Sequence, residues 1–396
     1  VHSVAEALAR IVEAAPALDD ERVSLAAARG RIVTSPIAAP RPLPGFAASA
    51  MDGWAVRAAE LPATVPVVDT IAAGRLDPPP LAPGTAVRIM TGAPLPDGAD
   101  AVVILEDGSA DGDDRVSLPA ARAGDNVRQI GEDFAAGDEA IAAGTRLGTG
   151  ELAALAALGI ASLSVARRPT VAIIATGDEL VDVTSALAPG QVVDSSAYML
   201  DAQVRDAGGT PAYLGIARDD RDAVAALVRT ALDHDVVITT GGVSAGDRDH
   251  VRDALADAGV ELALWKVAMK PGKPLAFGRA GTKLAFGLPG NPVSSWVAFE
   301  LFVRPALLAM QRAAQRLRPR APVLLPSKYT KPAGRAHYLR AAIERDGARL
   351  VAHPHARQGS AMLSSLIGVH ALIEIPADAT EIAAGATVDA LLLEAV

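Results

Sequence analysis

Four short stretches put glycines, acids or lysines directly after apolar runs, and their residue types suit one kind of ligand. After "DVVITT" comes Gly241-Gly242-Val243-Ser244-Ala245-Gly246, followed by Asp247 and Asp249. Glycines there let backbone N–H groups approach an anion closely, and a helix N-terminus behind them adds a favourable dipole. "TVAIIAT" likewise ends in Gly177-Asp178-Glu179. In "WKVAMKPGKP", Lys266, Lys270 and Lys273 surround Pro271, Gly272 and Pro274, so a proline-stiffened turn holds cations suited to phosphate or another oxyanion. "GLPGNPVSSW" supplies Asn291 as an N-cap and Pro292 at the first helical position.

Each stretch alone is explained by a tight turn or an ordinary helix start. Taken together they bring glycines, acids and lysines to the carboxyl ends of several strands, which is where open α/β sheets bind ligands. Acids beside an anion cradle call for a divalent cation between them, and Mg²⁺ held by carboxylates and phosphate oxygens is the usual arrangement. Neither GxxxxGK[ST] nor GxGxxG occurs in these loops, so they are neither a Walker loop nor a dinucleotide fingerprint. The N-terminal half adds Asp52 in "ASAMDGWAV", Thr91 and Gly92 in "RIMTGAPLPDGAD", and Glu132 and Asp133 in "VRQIGEDF", which singly read as turn residues.

The elements that must position these residues follow from periodicity. Ser3 and Glu6 form a capping box before a helix with Val4, Leu8, Ile11 and Ala15 on one face, and a second short helix is expected over Ser24–Gly30. Short β-rich runs then alternate with Pro/Gly/Asp turns up to Gly148, with "DGSADGDD" as an exposed hairpin tip. A helix follows, with Thr149 as N-cap and Gly159 just past its end. From Thr170 onward, uninterrupted apolar strands alternate with amphipathic helices, the pattern of a doubly wound parallel sheet covered on both faces. "QRLRPRAP" reads as a linker to a terminal small β-barrel or sandwich. The fold class expected is multidomain α/β plus β.

With 396 residues, half of them hydrophobic, the chain can bury several cores. Thirty-seven Lys and Arg against forty-six Asp and Glu give a net charge of −9, which excludes wholesale nucleic-acid binding through a basic face. Zero cysteines exclude disulfides, thiolate metal sites and a cysteine nucleophile, and make the cytoplasm the expected location. The apolar stretch Leu152–Ala166 is broken by Gly159 and is shorter than the ~20 residues of a membrane helix. No signal pattern opens the chain, so no membrane contact is expected.

At this level of detail the sequence resembles the molybdopterin molybdenumtransferases, the last enzymes of molybdenum cofactor synthesis. The similar stretches, in order, are "SAMDGWA", "RIMTGAPLP", "VRQIGED", "ATGDEL", "GIARDD", "TTGGVSAGDRD", "MKPGKP" and "GLPGNPVS", spanning residues 49–294. "GRAHYLR" and "QGSAMLSSL" resemble the family's last domain. The resemblance implies four domains: 1–42 with 140–168, elongated and dimerising; 43–139, mostly β; 169–317, α/β and molybdopterin-binding; and 318–396, β. It implies a homodimer whose active site lies between the α/β domain of one subunit and the "AMDGWA" domain of the other. It also implies the reaction: molybdate enters the dithiolene of adenylylated molybdopterin, AMP is released, and Mg²⁺ is required.

Family functional positions fall on Asp52, Thr91, Asp133, Glu179, Asp219, Ser244, Asp249, Lys266, Lys270, Pro289, Pro292, Arg340 and Ser360. Combined with the residue chemistry, this assigns Gly241, Gly242 and the rest of that loop to a pyrophosphate, and Glu179, Asp247 and Asp249 to the metal. Lys270 and Lys273 would neutralise phosphate or molybdate oxygens; Ser244, Arg340 and Ser360 would hold molybdate; Asp52 and Asp133 would act from the partner subunit. Transient contacts with an adenylyltransferase and with proteins that receive the cofactor are also implied. His250 stands where the family often has Tyr or Phe, Ser196 where Asn is common, and "LIGVHAL" departs near the C-terminus. Rival readings are a molybdopterin adenylyltransferase, a gephyrin-like scaffold, and a homologue that has lost catalysis.

Overall fold

The β-branched runs "TVAIIAT" and "DVVITT" form the centre of a six-stranded sheet that organises the rest of the chain. The structure, a computed structural model, describes residues 1–243 and 250–394. Across this sheet the strands run Thr210–Ala217, Thr170–Thr176, Val236–Thr240, Lys283–Leu288, Pro274–Ala280 and Glu261–Lys266. The first four are mutually parallel. The two "LAFG" runs form a hairpin, so Pro274–Ala280 is antiparallel to both its neighbours and the sheet is mixed at that edge. Helices Ser196–Asp206, Arg221–Ala231, His250–Asp257 and Pro292–Ala298 follow strands of this sheet.

Two apolar clusters cover the two faces of the sheet. One includes Val171, Ile173, Ile238 and Phe286, the other Ala172, Ile174, Val237 and Ala285, as expected for consecutive residues pointing to opposite sides. Pro292–Met310 is a continuous helix, its middle turn Phe299–Val303 in the wider π form. It is the one helix among the described residues long and apolar enough to cross a membrane, and 89% of that window is buried in the protein.

Helix Val4–Ala14 has the expected capping box, with Ser3 Oγ accepting from Glu6 N and Glu6 Oε2 accepting from Ser3 N. Its buried face, Ala7 and Ile11, belongs to the core of the central sheet rather than to the segment at 140–168. The helix expected over Ser24–Gly30 is reduced to one short turn. Asp20–Ser24 is instead a strand paired with Ser162–Ala166, and only Leu25–Ala27 turns helically. Partners some 140 residues away override the local preference. Helix Thr149–Ala157 begins one residue earlier than expected: Gly148 is the cap in place of Thr149, and Glu151 reaches back to its N–H at 2.8 Å.

The N-terminal β region holds a six-stranded sheet ordered Ala101–Ile104, Gly53–Val56, Ala86–Ile89, Ala63–Ile71, Arg115–Leu118 and Ser109–Ala110. At the C-terminus, Ala336–Asp346, Arg349–Pro354, Arg320–Leu325, Ala386–Leu392 and Ala371–Ile375 close on themselves, because the last strand pairs back onto the first. This closed sheet takes one more strand from the central region: Met269–Lys270 runs parallel to Ala336–His337. The lysine turn is therefore shared between two sheets.

Candidate functional site

Strand Val236–Thr240 runs through the middle of the central sheet and delivers Gly241 to its carboxyl edge. A Cβ on Gly241 would lie 2.6 Å from the Thr176 carbonyl oxygen, and the residue has φ +88°. Only glycine fits this close approach of neighbouring strand ends. At Gly242, with φ +62°, a Cβ would lie 2.5 Å from a Val251 methyl. Thr176 Oγ1 donates to the Thr240 carbonyl at 3.1 Å, tying the two strand ends.

These glycines floor a cleft of ≈ 1350 Å³. One wall carries Glu179, Asp194, Ser196 and Asp219; the other carries Lys270, Lys273, Arg335 and Ser360, with Pro289 and Pro292 between them. The side chains of Glu179, Asp219, Lys270, Lys273 and Arg335 make no hydrogen bond or ion pair among the described residues. Charges left without partners in a cleft are poised for a ligand that supplies both signs.

The acidic wall is held from behind. Asp194 Oδ1 accepts from Ser196 N at 3.0 Å and Ala197 N at 3.1 Å, so it caps the helix that begins at Ser196. Its Oδ2 accepts from the Tyr213 hydroxyl at 3.0 Å. Burial and the neighbouring Asp194 charge push the Tyr213 phenol well above its ordinary range.

The basic wall depends on the closed C-terminal sheet. Arg340 is fully buried, although expected as a molybdate ligand. Its Nε donates to Ser365 Oγ at 3.0 Å, and its Nη2 donates to the carbonyls of Arg357 and Gly359 at 3.2 and 3.3 Å. Gln358 accepts from Arg340 N and donates to the carbonyls of Arg340 and His355. Arg340 thus shapes the loop that presents Ser360 and does not line the cleft. Burial lowers its guanidinium pKa to about 10. Ser360 in turn docks on the long helix: its carbonyl accepts from Val293 N, and its Oγ accepts from Asn291 Nδ2 at 3.2 Å. Asn291 is the N-cap of that helix, as expected, but its side chain makes no cap bond, and its amide donates to Ser360.

Asp52 and Thr91, separate in sequence, meet at one end of the N-terminal sheet. They flank the paired residues Gly53 and Ile89, and Asp52 Oδ1 accepts from both Thr91 N and Thr91 Oγ1 at 2.7 Å. Those two bonds hold the Asp52 carboxyl below its usual range. "VRQIGED" joins them there, since Val127–Arg128 pairs with Ala48–Ser49 just before the Asp52 turn. Asp133 N donates to the Leu43 carbonyl, and its side chain is exposed. None of Asp52, Thr91 and Asp133 lines the cleft within this one chain. Lys266 also lies outside it, on the edge strand, with its carbonyl accepting from His2 N. Ser244, Asp247 and Asp249 fall outside the described residues.

Arg335 and Gln358 are site residues the sequence reading missed. An arginine beside Gly334 and a glutamine before Gly359 gave the only local signals, and neither spacing shows that a loop folds back onto the central sheet.

Among the described residues no group of three His, Asp or Glu side chains is arranged to hold a metal. The two unpartnered carboxylates, Glu179 and Asp219, nevertheless offer the hard oxygen donors that Mg²⁺ takes together with phosphate oxygens. The residues present therefore fit Mg²⁺ as an ion shared with a substrate.

The chain was compared with known proteins. Residues 2–159 match the family described as MoeA N-terminal region (domain I and II), residues 172–309 a probable molybdopterin binding domain, and residues 322–393 MoeA C-terminal region (domain IV). Molybdopterin molybdenumtransferase 2 of Mycobacterium tuberculosis is 40% identical over 380 residues, covering 92% of each chain. Molybdopterin molybdenumtransferase of Bacillus subtilis is 37% identical over 402 residues, covering 98% of this chain and 94% of that one. The crystal structure of a molybdopterin biosynthesis MoeA protein from Pyrococcus horikoshii OT3 matches with a TM-score of 0.86 and 29% identity over 99% of this chain and 100% of that one. Identity at this level over nearly the whole length shows that the chain belongs to the molybdopterin molybdenumtransferase family of enzymes.

Proposed function

We propose that this protein inserts molybdenum from molybdate into the dithiolene of adenylylated molybdopterin and releases AMP. The observation that carries the reading is the cleft at the end of Val236–Thr240, where lysines and carboxylates with no partner among the described residues face each other across Gly241 and Gly242. The pyrophosphate of the substrate lies against the backbone of that glycine turn, and Lys270 and Lys273 neutralise its oxygens. Bound Mg²⁺, held by Glu179 and Asp219 with the phosphates, supplies charge neutralisation and Lewis acidity. Ser360 presents its hydroxyl to molybdate, and Arg340 keeps the Ser360 loop in place from the interior. Water cleaves the phosphoanhydride to give AMP and the pterin phosphate, a step that needs charge stabilisation at the departing phosphate oxygen rather than a covalent nucleophile on the protein, and the lysines provide it.

The enzyme works as a cytoplasmic homodimer in this reading. The partner subunit's Asp52, held ready by its Thr91, and the partner subunit's Asp133 complete the open side of the cleft. Ser244, Asp247 and Asp249, expected as anion and metal ligands, follow Gly242 in sequence and lie outside the described residues. Pro289 and Pro292 shape the cleft between its two walls.

The test is AMP release from purified adenylylated molybdopterin. Release that requires both molybdate and magnesium, with no consumption of ATP, is the expected result. ATP consumption would identify an adenylyltransferase instead, and a stoichiometric protein partner without turnover would identify a scaffold.

A further inference from the structure

Beneath the basic wall lies a titratable group that the proposed reaction does not use. His337 is 3% exposed and is the second residue of strand Ala336–Asp346, which pairs with Met269–Lys270, in register with Lys270 itself. The Tyr329 hydroxyl lies 2.8 Å from its Nδ1, with the two rings edge-on at 6.1 Å. The charges that act on the ring come from Lys270 on the adjoining strand, Lys331 beside Tyr329, and Arg335 on the approach to its own strand, and all three are positive. Arg340 lies further along the same strand and acts on Tyr329.

Carboxylates on the surrounding elements are committed elsewhere. Glu374 accepts from the Tyr338 hydroxyl and from Arg320, Glu381 pairs with Lys328, and Asp378 acts on Lys331. His337 is thus a buried imidazole in a cluster of cations with no acid of its own among the described residues. Burial, together with those cations, lowers its pKa to about 4, so at neutral pH the ring is uncharged.

We infer that His337 is a proton-linked sensor of the anion site: an oxyanion captured by Lys270 and Arg335 draws a proton onto the ring, which then adds a further positive charge beneath the bound anion. This rests on the reading of the cleft as an oxyanion site. Two features support it. Lys270 and Arg335, which act on the ring, also line the cleft, so neutralising them removes part of the repulsion that keeps the ring neutral. The Tyr329 hydroxyl can donate to Nδ1 of the neutral ring or accept from the protonated one, so the buried pair stays hydrogen-bonded in both states.

The sign follows from linkage. Below about pH 4 the ring is already protonated in the free protein, and binding draws no further proton onto it. The bound anion raises the ring's pKa, so between about pH 4 and that raised value binding takes up a proton and affinity increases as pH falls, by at most about tenfold per pH unit for one proton, while above the raised value the ring is neutral in both states. A neutral side chain in its place removes that contribution.

The experiment uses the full chain and inorganic sulfate, which stays a dianion across the window, with molybdate as a second probe. Calorimetry in buffers of different ionisation enthalpy measures protons taken up on binding between roughly pH 4.5 and 6.5. NMR follows the His337 ring proton with and without sulfate. The expected result is proton uptake that is reduced in His337→Gln, together with an upward shift in the His337 titration of wild-type protein. The NMR measurement needs no substitution, so it holds even if the variant folds poorly. Sulfate binding with an unmoved His337 titration, or with equal uptake in His337→Gln, overturns the sensor but leaves the cleft reading intact. Failure of both anions to bind overturns the cleft reading and the sensor with it.

Discussion

The two ends of strand Val236–Thr240 are built from the same kinds of residue and treat charge in opposite ways. Just before the strand, Asp235 accepts both Arg167 guanidinium nitrogens at 2.7 and 2.9 Å and the Thr170 N–H and hydroxyl at 2.8 and 2.9 Å. Despite burial, these bonds bring its carboxyl pKa down to about 2. Just after the strand, Glu179, Asp219, Lys270 and Lys273 surround Gly241 with no partners among the described residues. A charge satisfied within the chain contributes to stability, whereas one left open contributes only when a ligand arrives. The amino edge of the sheet is therefore read as scaffold and the carboxyl edge as the site.

The comparison breaks most visibly in activity. Glu179→Gln or Lys270→Ala is expected to lower molybdate-dependent AMP release by about 100-fold or more, with an unchanged thermal midpoint, because neither side chain supports the fold. A midpoint that fell with the activity would mean these charges are structural after all. Mixing Asp52→Asn and Glu179→Gln proteins extends the test to the N-terminal sheet. If the sites lie between subunits, each mixed dimer carries one intact site, and equal mixing restores about a quarter of the wild-type rate. No recovery would place Asp52 and Glu179 in the same subunit's site.

At the other end of the strand the expected effect is on stability. Asp235→Asn should cost roughly 2 kcal/mol by urea unfolding while leaving turnover per folded molecule unchanged. The pH dependence has a defined sign, since the folded pKa of Asp235 lies below its ordinary 3.8. The stabilisation is complete above the ordinary value and is lost as pH falls toward about 2, so the variant should flatten the acid side of the stability curve. The smallest effect is expected for Gln358→Ala, which loosens the loop around Ser360: a few-fold rise in KM for molybdate with little change in kcat. A large loss of kcat would instead make Gln358 part of the chemistry.

Periodicity and turn chemistry made the central sheet legible. Apolar strands, the capping box at Ser3 and Glu6, and the glycines after each strand all act within a few residues of themselves. What sequence could not show depends on distant partners. Asp20–Ser24 became a strand because Ser162–Ala166 lies beside it, and Met269–Lys270 left the central sheet to join the closed one. Arg340 had the charge expected of an anion ligand, but burial turned it toward the carbonyls of a loop. Asp52 and Thr91 each looked like a turn residue, and only the pairing of Gly53 with Ile89 made them one unit. The cleft residues Glu179, Lys270 and Lys273 were legible because each sits at a strand end or tight turn, where local sequence controls direction.

The most direct test of the account is an experimental structure of the protein with adenylylated molybdopterin, Mg²⁺ and molybdate. The account predicts the pyrophosphate against Gly241 and Gly242, Lys270 and Lys273 in contact with anionic oxygens, and the metal between Glu179 or Asp219 and the phosphates. A nucleotide bound away from the end of Val236–Thr240, with those charges still unpartnered, would contradict it.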